Sequence, residues 1–146
     1  MSNKISGFSA GPRKERVGKL RKELQELMIE KVGIFREEES LEAAVEEISD
    51  IQRRFESVSV TSADATFNLE LLSIFETEAM LDLALAMSEG ARKRQESRGS
   101  HFRTDFPQRD DENFLKHTCA HFTPDGPRIE YKKVEMSRWQ PKEREY

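Results

Sequence analysis

"NLELLSIFETEAMLDLALAM", residues 68–87, decides the fold. At a helical period of about 3.6, Leu72, Phe75, Ala79, Leu83 and Ala86 share one face, and Leu71, Ile74, Leu81 and Leu85 lie on another. A helix that is apolar on two faces must be covered on two sides. The segments before it are simpler. Val17, Leu20, Leu24, Leu27 and Met28 make one stripe on a first helix. Leu41, Ala44, Val45, Ile48, Ile51 and Phe55 make one stripe on a second. Two one-sided helices and one two-sided helix predict a three-helix bundle of spectrin-repeat type. The second face of the third helix either fills the groove of that bundle or meets another domain, and both readings stand at this point.

Local punctuation sets the expected boundaries. Gly11-Pro12 marks the start of the first helix, which should run from about 13 to 31. Gly33 should end it, with Ile34 and Phe35 folding back over its end. Ser40 is the expected N-cap of the second helix, with Glu37, Glu38, Glu39 and Glu42 suited to its dipole. That helix should reach about residue 56, before the polar connector "SVSVTSADAT". Gly99 is the expected C′ position closing the third. The bundle is therefore expected over 13–99, behind a flexible segment at 1–12. Residues 100–146 should belong to the same domain. They open as an extended loop interrupted by Pro107, followed by "KHTCAHF", "TPDGP" and "RIEYKKV". These read as two short strands around a turn at Asp125-Gly126, with Ile129 and Tyr131 on one face and a polar tail beyond. The fold class is mainly α: a three-helix bundle followed by an extended loop and a short C-terminal β-hairpin.

Composition is consistent with one domain. A chain of 146 residues can bury roughly 70% of its unfolded surface. Its 36% hydrophobic content is too high for a disordered chain, and its equal charged fraction calls for exposed helices. No run approaches about eighteen consecutive apolar residues, and "MSNKISGFSAGPRKERVGKL" lacks the apolar core of a secretory signal. The single cysteine, Cys119, leaves no internal disulfide and fits a reducing cytoplasm. The chain is read as soluble. Residues 1–22 carry seven Lys or Arg against Glu15 alone, whereas 23–50 carry ten acids against Lys31 and Arg36. With no accompanying aromatic or recognition motif, the basic segment reads as a solvated helix face and not as a nucleic-acid footprint.

The residues that could carry chemistry are few. His101, His117, His121 and Cys119 are the soft ligands, and His117 and His121 stand roughly 13 Å apart if they lie in a strand. No tight pair supports zinc. Cys119 and Ser97 lack a nucleophile elbow and a base–orienter pair. The glycines cannot build a Gly-x-Gly-x-x-Gly fingerprint, so no dinucleotide site is expected. What remains is "RQESRGSHFRTDFPQRDD", residues 94–111. Between 92 and 112 six cations face five acids, and this near-cancellation favours an internal or interfacial network over an anion trap. The expected members are Arg94, Glu96, Ser97, Arg98, His101, Arg103, Asp105, Arg109, Asp110 and Asp111.

"R-x-ESRG-x-H-x-R-x-D-x-P-x-RDDEN-x-L-x-H", from Arg94 to His117, resembles the C-terminal signature of the succinate dehydrogenase and fumarate reductase flavoprotein subunit. "LQELMIEKVGIFR" resembles that family's first C-terminal helix and its following turn, and residues 68–87 resemble its long third helix. The closing Arg144-Glu145-Tyr146 also fits, so the resemblance runs from about residue 13 to the end. Aspartate oxidase shares the "ESRG-x-H" core, but "RDDEN" followed by "LKHT" favours the succinate/fumarate branch. Phe114 stands where many members carry Trp, and Ser100 where Ala is common.

The resemblance implies a parent enzyme that interconverts succinate and fumarate and passes electrons from FAD to an iron–sulfur subunit. It also implies that the flavin-binding domain, the capping domain and the catalytic residues all precede this region. The chain is then expected to be an isolated C-terminal helical domain, with no catalytic, cofactor-binding or metal-binding residue of its own. Its expected partners are the flavin-binding domain of the same subunit and the iron–sulfur subunit. Neither nucleic acid nor membrane insertion is expected, and the isolated fragment could form a homodimer. The parent complex would sit in the cytoplasm, peripheral to the inner face of the cell membrane. The alternative is a free-standing helical adaptor that uses this domain to bind another protein.

Overall fold

A computed structural model describes residues 15–60 and 66–138. The expected start at Pro12, the flexible 1–12 segment and the end of the polar tail lie outside the described residues. Three long helices form the body: α1 (Val17–Val32), α2 (Glu38–Phe55) and α3 (Leu69–Lys93). Between and after them come β1 (Phe35–Arg36), β2 (Phe102–Arg103), a short α4 (Asp111–Phe114), β3 (Lys116–His121) and β4 (Arg128–Lys133). The fold is mainly helical with a C-terminal β-hairpin, as the pattern predicts.

The two single stripes point inward together. Leu20, Leu24 and Leu27 of α1 meet Leu41, Ala44, Ile48 and Ile51 of α2, all buried. Each such side chain contributes about 1.5–3 kcal/mol of transfer free energy. From α3, Ile74, Leu81, Ala84 and Leu85 complete the core, with Leu71 packed at its edge. The other face of α3 points outward. Leu72, Leu83 and Met87 are all more than half exposed, so this face does not fill the groove of the bundle. Two polar residues are buried on the inner face. The Thr77 hydroxyl donates to the Ser73 carbonyl (2.7 Å) and Ser88 to that of Ala84 (2.9 Å), so neither is left unsatisfied.

Three local expectations are corrected. The N-cap of α2 is Glu37, not Ser40; the Glu37 carboxylate accepts from the N3 backbone while Ser40 at N3 faces back toward the cap. A carboxylate three residues earlier does the work assigned to the hydroxyl. Ile34 and Phe35 do not fold back over α1. Past Gly33 the chain runs extended as β1 and pairs in parallel with β2, Phe35 opposite Phe102 and Arg36 opposite Arg103. Both residues stay largely exposed, and Phe35 meets Phe102 edge-on with ring centres 5.8 Å apart. Finally, α3 ends at Lys93 and Gly99 is not its C′ residue. The last carbonyls of α3 are bound by an arginine from farther along the chain, described below. Gly99 instead takes φ +60° in a tight turn where Arg98 and His101 exchange backbone hydrogen bonds (2.8 and 3.0 Å).

The hairpin is antiparallel, in register from Lys116↔Lys133 to His121↔Arg128, and its turn uses Gly126 at φ +110°. It lies on the second half of α3, where a Cβ on Gly90 would stand 3.5 Å from the Thr118 methyl. Tyr131 fastens it by donating to the Lys93 carbonyl (2.8 Å). Among the described residues no helix is long and apolar enough to cross a membrane.

Candidate functional site

The charged stretch after α3 folds into a turn whose centre is Glu96, which is fully buried. One carboxylate oxygen accepts from Arg94 Nη1 and from Arg98 Nε (2.9 Å). The other accepts from Arg98 Nη2 (3.0 Å) and from the Asp110 backbone N–H (2.9 Å). Arg98 is thus a two-point partner of Glu96, and its Nη2 also reaches Asp111 (2.6 Å). The hydrogen bonds Arg98 donates to Glu96 raise its pKa, and the one it donates to Asp111 lowers that of Asp111, so both stay charged. Arg109 completes this side with a 3.0 Å contact to Asp111. Arg94 turns toward the hairpin, donating to the carbonyls of Phe114 (2.9 Å) and Lys116 and to the Thr118 hydroxyl (3.0 Å).

A second centre forms around Arg103, also fully buried. Its Nε and Nη2 grip Asp105 (2.7 and 2.6 Å), Nη2 also reaches Glu38 (2.9 Å), and Nη1 donates to the carbonyls of Ala91 (3.2 Å) and Arg92 (2.9 Å). Those carbonyls are the end of α3, so the guanidinium caps the negative pole of its dipole. Asp105 in turn accepts from the Glu38 N–H (3.0 Å) at the opposite pole of α2. Its hydrogen bonds with Arg103, above all, hold its pKa below the usual carboxylate range. Ser97 accepts from the Arg103 N–H (2.8 Å) and donates to the Phe106 carbonyl (2.9 Å), so its hydroxyl is committed to shaping the loop. Asp110 caps α4 by accepting from the Asn113 N–H (2.9 Å).

His101 lies between the two centres. Its Nε2 is 3.1 Å from the Arg94 carbonyl, which can only accept, and its Nδ1 is 2.9 Å from Arg36 Nη1, which can only donate. The ring is therefore neutral with its proton on Nε2. Burial, then the charges of Arg36, Arg94 and Arg103, push its pKa down against the opposing pull of the Arg94 carbonyl.

All ten residues anticipated from the sequence come together in this one turn. Arg36 and Glu38 are added by the structure, each reaching the turn from 65 positions away. The hint to them was slight: Arg36 closes the "VGIFR" segment, and Glu38 reads as an ordinary first-turn acid. The turn has little capacity left for a ligand, because its arginine forks already hold carboxylates and carbonyls. Cys119 is half-buried in β3, and His121 pairs with Glu130 (3.2 Å) on the exposed hairpin; neither is joined to the network. Among the described residues no three metal-ligating side chains converge.

The family model described as "Fumarate reductase flavoprotein C-term" matches residues 21–146. The chain belongs to this family. It is 45% identical over 133 residues to the fumarate reductase flavoprotein subunit of Mycobacterium tuberculosis, covering 90% of this chain and 23% of that protein. A solved E. coli quinol fumarate reductase FrdA variant superposes with a TM-score of 0.91 at 33% identity, over 97% of this chain and 25% of that one. The Mycobacterium smegmatis Sdh1 complex gives 0.77 at 25% identity, over 89% and 23%. The chain thus spans about a quarter of the length of these fumarate reductase relatives. A cleft of about 510 Å³ between α1 and α2 is lined by six carboxylates against Arg54 and would repel a pyrophosphate. That cleft does not fit FAD.

Proposed function

We propose that this chain is the structural and docking module of a succinate dehydrogenase/fumarate reductase flavoprotein subunit. In that subunit FAD and the residues acting on succinate or fumarate belong to the preceding portion. This module packs against the flavin-binding domain, in a complex that includes an iron–sulfur subunit and lies peripheral to the inner face of the cell membrane. The carrying observation is the outer face of α3, where Leu72, Leu83 and Met87 stand exposed on a chain that spans about a quarter of its relatives. A long helix with a second apolar face left uncovered fits a surface meant for another domain. The Arg94–Asp111 turn fixes the ends of the helices and so the presentation of that face.

Arg98→Ala in a full-length relative carrying this domain should weaken subunit assembly or flavin retention. Normal flavin content and normal assembly would overturn the reading. The isolated chain should bind neither FAD nor succinate and should have no activity, so a stoichiometric yellow chromophore in the purified protein would contradict it. The same outer face is also open to a second copy. Sedimentation of the isolated chain measures whether a homodimer forms, and Leu83→Gln should reduce any such association.

A further inference from the structure

A second cleft, about 310 Å³, lies between the C-terminal half of α3, β3 and β1. Val32, Ala86 and Met87 give it apolar walls, Arg36, Arg94 and His101 line it as well, and among the described residues no acid does. Arg94 is spent on Glu96 and on backbone carbonyls. Arg36 is not. Its Nε donates to the Val32 and Gly33 carbonyls (3.0 and 2.9 Å) and its Nη1 to His101, but among the described residues Nη2 has no acceptor and no carboxylate lies within ion-pairing distance. Every other arginine of the turn holds a carboxylate. The end of α1 supplies only about half an elementary charge in compensation. Burial, the first cause acting on Arg36, works against its charge. A half-buried guanidinium whose Nη2 is left for a partner, beside a cleft with apolar walls and no acid among its described lining, is complementary to a carboxylate carried between apolar side chains.

Met87 joins this cleft to the exposed face of α3. We propose that the cleft receives one acidic side chain, flanked by apolar residues, from the portion of the flavoprotein subunit that lies outside this chain, with its carboxylate on Arg36 Nη2. This rests on the docking reading above and adds the chemistry of one contact to it.

The test uses the full 146-residue chain and two capped tripeptides, acetyl-Leu-Asp-Leu-amide and acetyl-Leu-Asn-Leu-amide. The Met87 methyl and Arg36 Nε–H signals are followed by NMR during titration. The acidic peptide should shift both signals saturably and bind on the order of tenfold more tightly than its amide twin, the usual advantage of a charged hydrogen bond. Arg36→Gln should abolish that preference. So should Met87→Glu, which places a carboxylate in the cleft from an exposed position and leaves folding intact. Equal response to the two peptides, no saturable response, a preference that survives Met87→Glu, or succinate competing as well as the peptide each overturns the proposal. The outcome is separable from that of Arg98→Ala in a full-length relative. Failed peptide binding with defective assembly removes this contact alone, whereas normal assembly removes the docking reading itself.

Discussion

Glu96→Gln replaces one oxygen of a fully buried carboxylate with an NH2 group. Both oxygens of Glu96 face donors: Arg94 and Arg98 Nε on one, Arg98 Nη2 and the Asp110 N–H on the other. Whichever way the amide is turned, its NH2 meets two donors, and Arg94 and Arg98 lose the charge they share. Removing one partner of a buried ion pair costs about 3–5 kcal/mol, because the remaining charge is stranded. Set against a total of about 5–15 kcal/mol for a domain, this is a large fraction of the stability. At about 2–4 °C per kcal/mol for a domain near this size, the melting temperature should fall by about 6–20 °C. Urea and thermal unfolding followed by helical circular dichroism measure both quantities. Glu38→Gln is the control. Glu38 is 45% exposed and Arg103 keeps Asp105 without it, so its loss should cost under about 1 kcal/mol. A Glu96→Gln protein within about 1 kcal/mol of the parent, or no worse than Glu38→Gln, refutes the idea that Glu96 anchors the turn.

Because His101 has its pKa depressed in the fold, the unfolded chain binds the extra proton more readily. Its contribution to stability is present above pH 6.5, the ordinary value, and is lost as pH falls through the lower native one. His101→Gln can keep both hydrogen bonds without titrating, so unfolding free energies measured across this range should lose part of their slope. Gly33→Ala would place a Cβ 2.6 Å from the Ile29 carbonyl oxygen, a backbone atom, and should cost about 1–3 kcal/mol in urea unfolding. Leu83→Gln, at a position 64% exposed, should change the stability of the isolated chain by less than about 0.5 kcal/mol. In a full-length relative the same substitution should lower the yield of assembled subunit.

The helices were legible because α1 and α2 each carry one stripe, and a single stripe has one place to go. For α3 the periodicity revealed two apolar faces but could not rank them. The buried one includes Thr77 and Ser88, polar residues that a hydrophobic pattern discounts and that become acceptable only once their hydroxyls reach carbonyls one turn back. The end of α3 is not legible in the sequence for a different reason. Gly99 has the positive φ that its identity invites, but it spends it on a turn, while the cap on α3 is the side chain of Arg103. Such a cap, reached through folding, leaves no local mark. The charge balance of the turn pointed to a paired network, yet not to its wiring, since Arg36 and Glu38 enter from the far side of the α1–α2 junction.

That wiring explains why a stretch so rich in acids and bases can serve structure. A loop this polar has little apolar surface with which to bind itself to the bundle, and helix ends present groups that need partners. Here the two needs meet. Arg36 takes the last carbonyls of α1, Arg103 takes those of α3, and Asp105 takes an N–H at the start of α2. The two-residue β1–β2 ladder holds Arg36 beside Arg103, and His101 bridges Arg36 to the Arg94 carbonyl just past α3. One turn thereby sets the relative position of three helix ends. A forked cation suits this task because one guanidinium can bind a carboxylate and backbone carbonyls in fixed directions. Damage to the turn should therefore be felt first in the alignment of the helices, and through α3 in the face it presents, before it is felt in any chemistry.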